Sequence, residues 1–444
     1  MRKLSSLLLV VSSFAFVGCS EEEGTTLEDT GSPDTGSGDT GVATDSGTDT
    51  GTDTGTTTDS TVVDSTATDS TATDSTATDS TATDSKTDST ATDSTATDSS
   101  STDSTSESGG DSATTKTKTV WALRVGDGTA VATGTSAPIF LAPFTIDYTA
   151  APTGTAGTVV AAPVTGTDNV SLPISSSIGS LTSSGNGKLV SFAAYRAAPG
   201  VAAIPDTAAS ATKRVGVTLN AAGTFVVSDL GAGANDAGKS IRSAYTTDGG
   251  QFWISAEDKG VTYNVGTTVT SLAVGNVRWL GGFGGQLYVT SGSGSAGLSG
   301  IAPGLVQVGT GFPTTTPTTP FTKVNGPVTG ASPYGVAAFD TDATAGIDTI
   351  LLCDSAKGLE KWRLESTTWT LKATHLASAT GCVGLAAWVD GADLVAVVTT
   401  GETPPRIVAL RDPIASTTAI ATGSTVATAA TNTVFKGVAL APSP

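Results

Sequence analysis

The stretch that decides the fold is NTVFKGVALAPSP, residues 432–444. Its centre, FKGVALAP, reads as a β-strand built mainly from small residues, and no segment after it could complete a sheet. A strand left alone would expose an unpaired backbone edge, so it is expected to pair with an earlier part of the chain.

Five upstream segments share one template: SIGSLTSSGNGKLVSFAAY (177–195), SIRSAYTTDGGQFWISAED (240–258), NVRWLGGFGGQLYVTSG (276–292), PYGVAAFDTDATAGIDTILLCDS (333–355) and CVGLAAWVDGADLVAVVTTG (382–401). Each is a small-residue strand, a tight Gly-bearing turn and a bulkier second strand. SGNGK, TTDGG and WVDGA carry the Asn-Gly and Asp-Gly chemistry of hairpins, which supplies positive φ. Third strands follow in RVGVTL, GVTYNV, GLVQV and LEKWRL. Helix-period stripes are absent. A repeat near 50 residues holding four antiparallel strands is the signature of an all-β propeller. Gly, Ala and Ser suit the crowded innermost strand of each blade. Trp253, Tyr288, Trp362 and Trp369 fall on the diverging outer strands.

The first block, residues 120–164, offers VWALRVGDG, APIFLAPFTI and TAGTVVAAPV but no small-residue inner strand. FKGVALAP supplies it. The expectation is therefore a six-bladed β-propeller closed by its own two ends. Seven blades is the alternative, because 293–330 is long enough to hold further strands. DTILLCDSAKGLEKW (348–362) resembles a blade of the NHL or SMP-30 type, with Leu352-Cys353 replacing the middle of that pattern. Over residues 119–444 the chain resembles lipoprotein-anchored bacterial propellers ending in an R/K-G-V-A-x-A-P strand.

The N-terminal part is not expected to fold. Arg2 and Lys3 precede the apolar LSSLLLVVSSFAFVG, which is too short to span a bilayer and reads as a signal peptide over 1–18. Phe16-Val17-Gly18-Cys19 resembles a bacterial lipobox, which implies a lipid on Cys19; an ordinary secretory signal is the alternative. Several acyl chains make a stable anchor. Ser20, where an inner-membrane retention signal carries Asp, implies the outer membrane, with the folded domain in the periplasm or at the cell surface.

Residues 19–117 read as the lipidated Cys followed by a Thr/Asp/Ser-rich disordered tether, with too little apolar surface to offset the entropy of ordering. Residues 20–116 hold 17 Asp and 5 Glu against 2 Lys, whereas 117–444 hold 19 acidic and 18 basic residues. The acidity of the chain thus belongs to the tether, whose flexible span is about 50–60 Å. The domain at 118–444 is nearly neutral, carries no basic stripe for nucleic acid, and is expected to be monomeric.

Chemistry-bearing residues are few. His375, the single histidine, lies in a predicted outer strand and reads as structural; no triad, zinc set or phosphate loop accompanies it. Arg242, Arg278 and Lys436 share one early position in three inner strands, with Gly179, Gly335 and Gly384 in the others. There they would either bind an anionic ligand at the axial mouth or bond neighbouring blades. DTDATAGID (340–348) resembles the calcium hairpins of integrin-type propellers through Asp340, Asp342, Thr344 and Asp348. Thr344 stands where those have Asp, and Gly346 comes one place late, so a polar hairpin is the other reading. Apart from calcium, no cofactor is expected. Cys353 and Cys382 form either a disulfide or two buried thiols. GTGFPTTTPTTPFT (309–322) reads as an exposed loop. The functional expectation is a surface-anchored, non-enzymatic propeller presenting a face to a glycan, a peptide or an envelope protein. A secreted propeller hydrolase or lactonase is the alternative.

Overall fold

The computed structural model describes residues 114–444 apart from 175–176, 235–237, 293–297, 299–300, 302–303, 319–320, 325–331 and 377–380. Residues 1–18, read as a signal peptide, Cys19 and all but the last residues of the acidic segment lie outside the described residues.

The described residues form six antiparallel blades, five of four strands and the first of five, with Val160–Ala161 added beside Ile139–Asp147; a two-stranded ladder joins Ser136–Ala137 to Leu172–Pro173, there is no α-helix, and two short 3₁₀ turns, Ile204–Asp206 and Ala232–Ala234, sit in connections. The runner-up of seven blades is thereby corrected. Gly304–Gln307 and Thr322–Lys323, within the long stretch that suggested it, are the third and fourth strands of the fourth blade.

The closing strand is Val434–Leu440. It pairs antiparallel with Thr117–Val125 in the register Val120↔Leu440, Trp121↔Ala439, Ala122↔Val438, Arg124↔Phe435 and Val125↔Val434. Thr117–Val125 then pairs with Ile139–Asp147, and that strand with Thr153–Ala156. The first blade therefore takes its innermost strand from the far end of the chain, as expected, which removes the open edge. Closure also needs a close approach. A Cβ on Gly437 would overlap the Leu181 backbone of the neighbouring blade, so only glycine fits where these inner strands meet.

The innermost strands of the second to sixth blades are Thr182–Ser183, Ile241–Tyr245, Val277–Phe283, Pro333–Phe339 and Gly384–Asp390. Between blades the core is aliphatic and aromatic. Phe144 and Phe435 meet edge-on at 6.1 Å where the first blade faces the sixth. Trp253, Tyr288, Trp362 and Trp369 lie on second, second, third and fourth strands. Trp279 and Trp388, however, occupy inner strands, where small residues prevail.

One polar cluster is built into this core. Lys361 on the third strand of the fifth blade lies 2.5 Å from Asp412 on the third strand of the sixth, and His375 Nε2 lies 3.2 Å from the same carboxylate oxygen. All three are at most 1% exposed. His375 Nδ1 accepts from the Ile420 N–H, so its ring proton sits on Nε2, facing Asp412. Histidine is structural here, as expected. Its partners lie 14 and 37 residues away in the sequence, so no local pattern pointed to them.

Cys353, in the second strand of the fifth blade, and Cys382, just before the inner strand of the sixth, are disulfide-bonded with Cα atoms 5.0 Å apart. The bond ties the crossover between these two blades.

Candidate ligand-binding site

The two ends of the ring differ. At the end where the inner strands start, four blades carry a β-bulge at one place. The ladder register shifts between Ile241 and Ser243, between Val277 and Trp279, and between Pro333 and Gly335; in the first blade Lys436 and Gly437 oppose the single residue Leu123. A bulge re-aims the extra residue, and here those residues are Arg242, Arg278, Tyr334 and Lys436. Tyr334, rather than Gly335, thus holds the place equivalent to the two arginines. The one-residue slip arose because pattern alignment does not register a bulge.

These groups are turned into the ring. Arg242 is 5% exposed; its guanidinium donates to Asn276 Oδ1 of the next blade and lies 3.5 Å from Glu257. Burial and then the nearby Arg278 charge lower its pKa. Arg278 donates to the Tyr334 hydroxyl and stacks over that ring at 4.8 Å. Burial pushes the Lys436 ammonium down to about 7. The space bordered by Gly179, Tyr334, Val383 and Lys436 is only about 10 Å³, room for one water molecule. The cations do gather at the inner-strand starts, where Arg242 is held by Asn276 and Glu257 and Arg278 by Tyr334. Lys436 also borders a cavity of about 640 Å³ beside Glu402, Pro404 and Asn432, between the sixth and first blades.

The opposite end is open. A cavity of about 650 Å³ surrounds the axis and is lined by inner strands or their hairpins from all six blades. Its walls alternate glycine and alanine with rings, namely Tyr245, Trp279, Phe283 and Phe312. Phe312 stacks on Tyr245 at 5.6 Å and 19°, and Trp279 on Phe283 at 5.8 Å and 19°. Phe312 belongs to the Pro/Thr segment expected to be an exposed excursion. Thr310, Thr314–Thr316 and Thr318 are exposed as expected, while Trp253 Nε1 donates to Pro313 O at 2.7 Å and Thr316 donates to Ser271 O, so the segment is tied to the third blade with Phe312 in the cavity wall. Among the described lining residues there is no Lys or Arg, and Asp248 at the rim is the one carboxylate.

The Tyr245 side chain is 2% exposed, and its hydroxyl lies over the glycine backbones of Gly185 and Gly282, both in the cavity wall. Burial alone raises its pKa to about 12, so it stays an O–H donor. None of these ring residues was singled out from the sequence. The available signal was a bulky side chain inside strands otherwise small, SIRSAY and VRWLGGF.

The 340–348 hairpin joins the inner and second strands of the fifth blade at this same end. Carboxylate oxygens of Asp340, Asp342 and Asp348 lie within 4.8 Å of one another. Each also serves the loop itself. Asp348 accepts from Thr341 N at 3.0 Å and from the Thr341 and Thr349 hydroxyls, Asp342 from Thr344 N, and Asp340 from Gly346 N. Thr344 contributes its backbone N–H to this turn. No helix among the described residues is long and apolar enough to cross a membrane.

No family model and no curated protein matches the sequence. Solved structures do. The protein of a structure titled YCF48 bound to D1 peptide is 12% identical, with 67% of this chain and 82% of that one covered at a TM-score of 0.34. A proposed 6-phosphogluconolactonase of Bacteroides fragilis is 11% identical, with 70% and 82% covered at a TM-score of 0.35. Apo AztD of Citrobacter koseri is 13% identical, with 66% and 67% covered at a TM-score of 0.26. The described residues form an all-β, six-bladed propeller with an open axial cavity walled by aromatic rings.

Proposed function

We propose that the protein is a lipid-anchored binding protein of the outer membrane. Cys19 carries the lipid, the acidic segment holds the ring away from the bilayer, and ligand is taken in the hairpin-end cavity. The observation that carries this reading is the cavity itself, about 650 Å³ enclosed by all six blades and walled by four aromatic residues. A concave, mostly apolar site with a few polar groups is what small-ligand recognition requires. Hydrolysis would need a general acid and base facing each other. Asp248 supplies one carboxylate, and its Oδ1 already accepts from Gly250 N. Glycans, peptides and envelope proteins are the ligand classes considered.

Two measurements test the reading. An array of glycans and peptides is screened with the wild-type chain and with Thr247→Trp, which puts a bulky ring at the half-exposed rim. Binding lost in the variant supports the site, and binding retained refutes it. For the anchor, Cys19→Ser should move the protein from the membrane to the soluble fraction and abolish incorporation of labelled fatty acid.

A further inference from the structure

We infer that the cavity takes the uncharged terminal sugar of a glycan, bound ring-face against Phe312 and Phe283 and hydrogen-bonded by Tyr245. This rests on the binding role proposed above and narrows it to one ligand chemistry.

Four observations carry it. The first is shape. Beyond Leu181, Val336, Leu385 and Val438 the channel pinches to the roughly 10 Å³ space beside Tyr334 and Lys436. Among the described residues the site is therefore a pit rather than a through-channel. It admits a chain end or a compact ring, while an extended peptide needs a groove or a free strand edge along which to run. The second is charge. With no Lys or Arg among the described lining residues, the pit offers no counter-ion to a carboxylate or phosphate. The third is the wall. The Phe312–Tyr245 and Trp279–Phe283 pairs are each within 19° of parallel, and Phe283 and Phe312 are only partly buried. They present flat apolar faces. A pyranose matches such a wall, because its C–H faces are apolar and its hydroxyls lie around the edge.

The fourth is the polar handle. Tyr245 is only 2% exposed, and its hydroxyl reaches the pit wall beside Gly185 and Gly282. A phenolic O–H placed there can both donate to and accept from a ligand. A sugar hydroxyl is both acceptor and donor and fits it. At the rim, Asn186 Oδ1 is occupied by Ser184 and Lys188 N, which leaves its amide NH₂ to bond the next sugar unit.

The test is calorimetry of the full chain against four probes: an uncharged N-acetylglucosamine disaccharide, an uncharged glucose disaccharide, a glucuronate-containing disaccharide and a Pro/Thr-rich peptide. At least one uncharged sugar should bind. Tyr245→Phe keeps the ring and should weaken that binding about five- to tenfold, as loss of one buried hydrogen bond does. Phe312→Leu should weaken it at least as much, with melting temperature as the folding control for both. The sugar assignment is overturned if no uncharged sugar binds, or if Tyr245→Phe binds as wild type. Binding of the peptide alone, lost in Phe312→Leu, would overturn the sugar while leaving the cavity as the site. Sugar binding that survives Thr247→Trp would overturn both.

Discussion

Removing the ring of Phe435 should open the toroid at its seam. Phe435 is the first bulky residue of the closing strand, 6% exposed, and packs edge-on against Phe144 among Val120, Trp388, Val397 and Ile407. A buried Phe withdraws roughly 150–250 Å² from water. At about 25 cal/mol per Å² that area is worth roughly 4–6 kcal/mol as an upper estimate. Measured Phe→Ala costs in well-packed cores, about 3–5 kcal/mol, agree. A domain of this kind is stable by about 5–15 kcal/mol, so one substitution removes a large share. Urea unfolding of Phe435→Ala should show the loss as a lowered midpoint. Val226→Ala, on a side chain 54% exposed in an outer strand, should stay within about 0.5 kcal/mol of wild type. In the cycle with Phe144→Ala, the pair should couple by about 0.5–1.5 kcal/mol. Because Val438, Ala439 and Leu440 of the same strand line the cavity, binding should fall as the seam loosens. A cost below about 1 kcal/mol would refute the reasoning, since exposed residues cost no more than that. So would rapid amide exchange across 434–440 in the native protein.

Three further outcomes are expected. Asp412→Ala leaves Lys361 buried without its counter-charge and should cost about 3–5 kcal/mol, whereas Lys361→Met with Asp412→Leu should recover most of that in the same unfolding assay. Replacing both Cys353 and Cys382 with Ala should lower stability by about 3–4 kcal/mol, from the unfolded-state entropy of a 29-residue separation, and a reductant should have the same effect on wild type. Burial raises the Asp348 pKa, but hydrogen bonds from Thr341 and Thr349 outweigh it and hold the carboxyl below its usual range. Its contribution to stability is then fully present above about pH 4 and is lost as pH falls through the depressed folded value, so Asp348→Asn should flatten the acid limb of the stability–pH curve.

The sequence by itself determined the class, the repeat and the closure. Gly-bearing hairpins, small-residue strands and the unmatched FKGVALAP are local patterns, and local patterns set strands and turns directly. It also placed Arg242, Arg278 and Lys436 at one level of the ring, because residues at equal repeat positions are brought to equal heights. Only the tertiary structure decided which way those cations face. A one-residue bulge turns a side chain from the mouth toward the neighbouring blade, and no composition signal marks it. The Lys361–Asp412–His375 cluster and the ring-walled pit were equally beyond reach of the sequence. Their members come from different blades or from a long loop, and what makes them a site is which strands face each other across the axis.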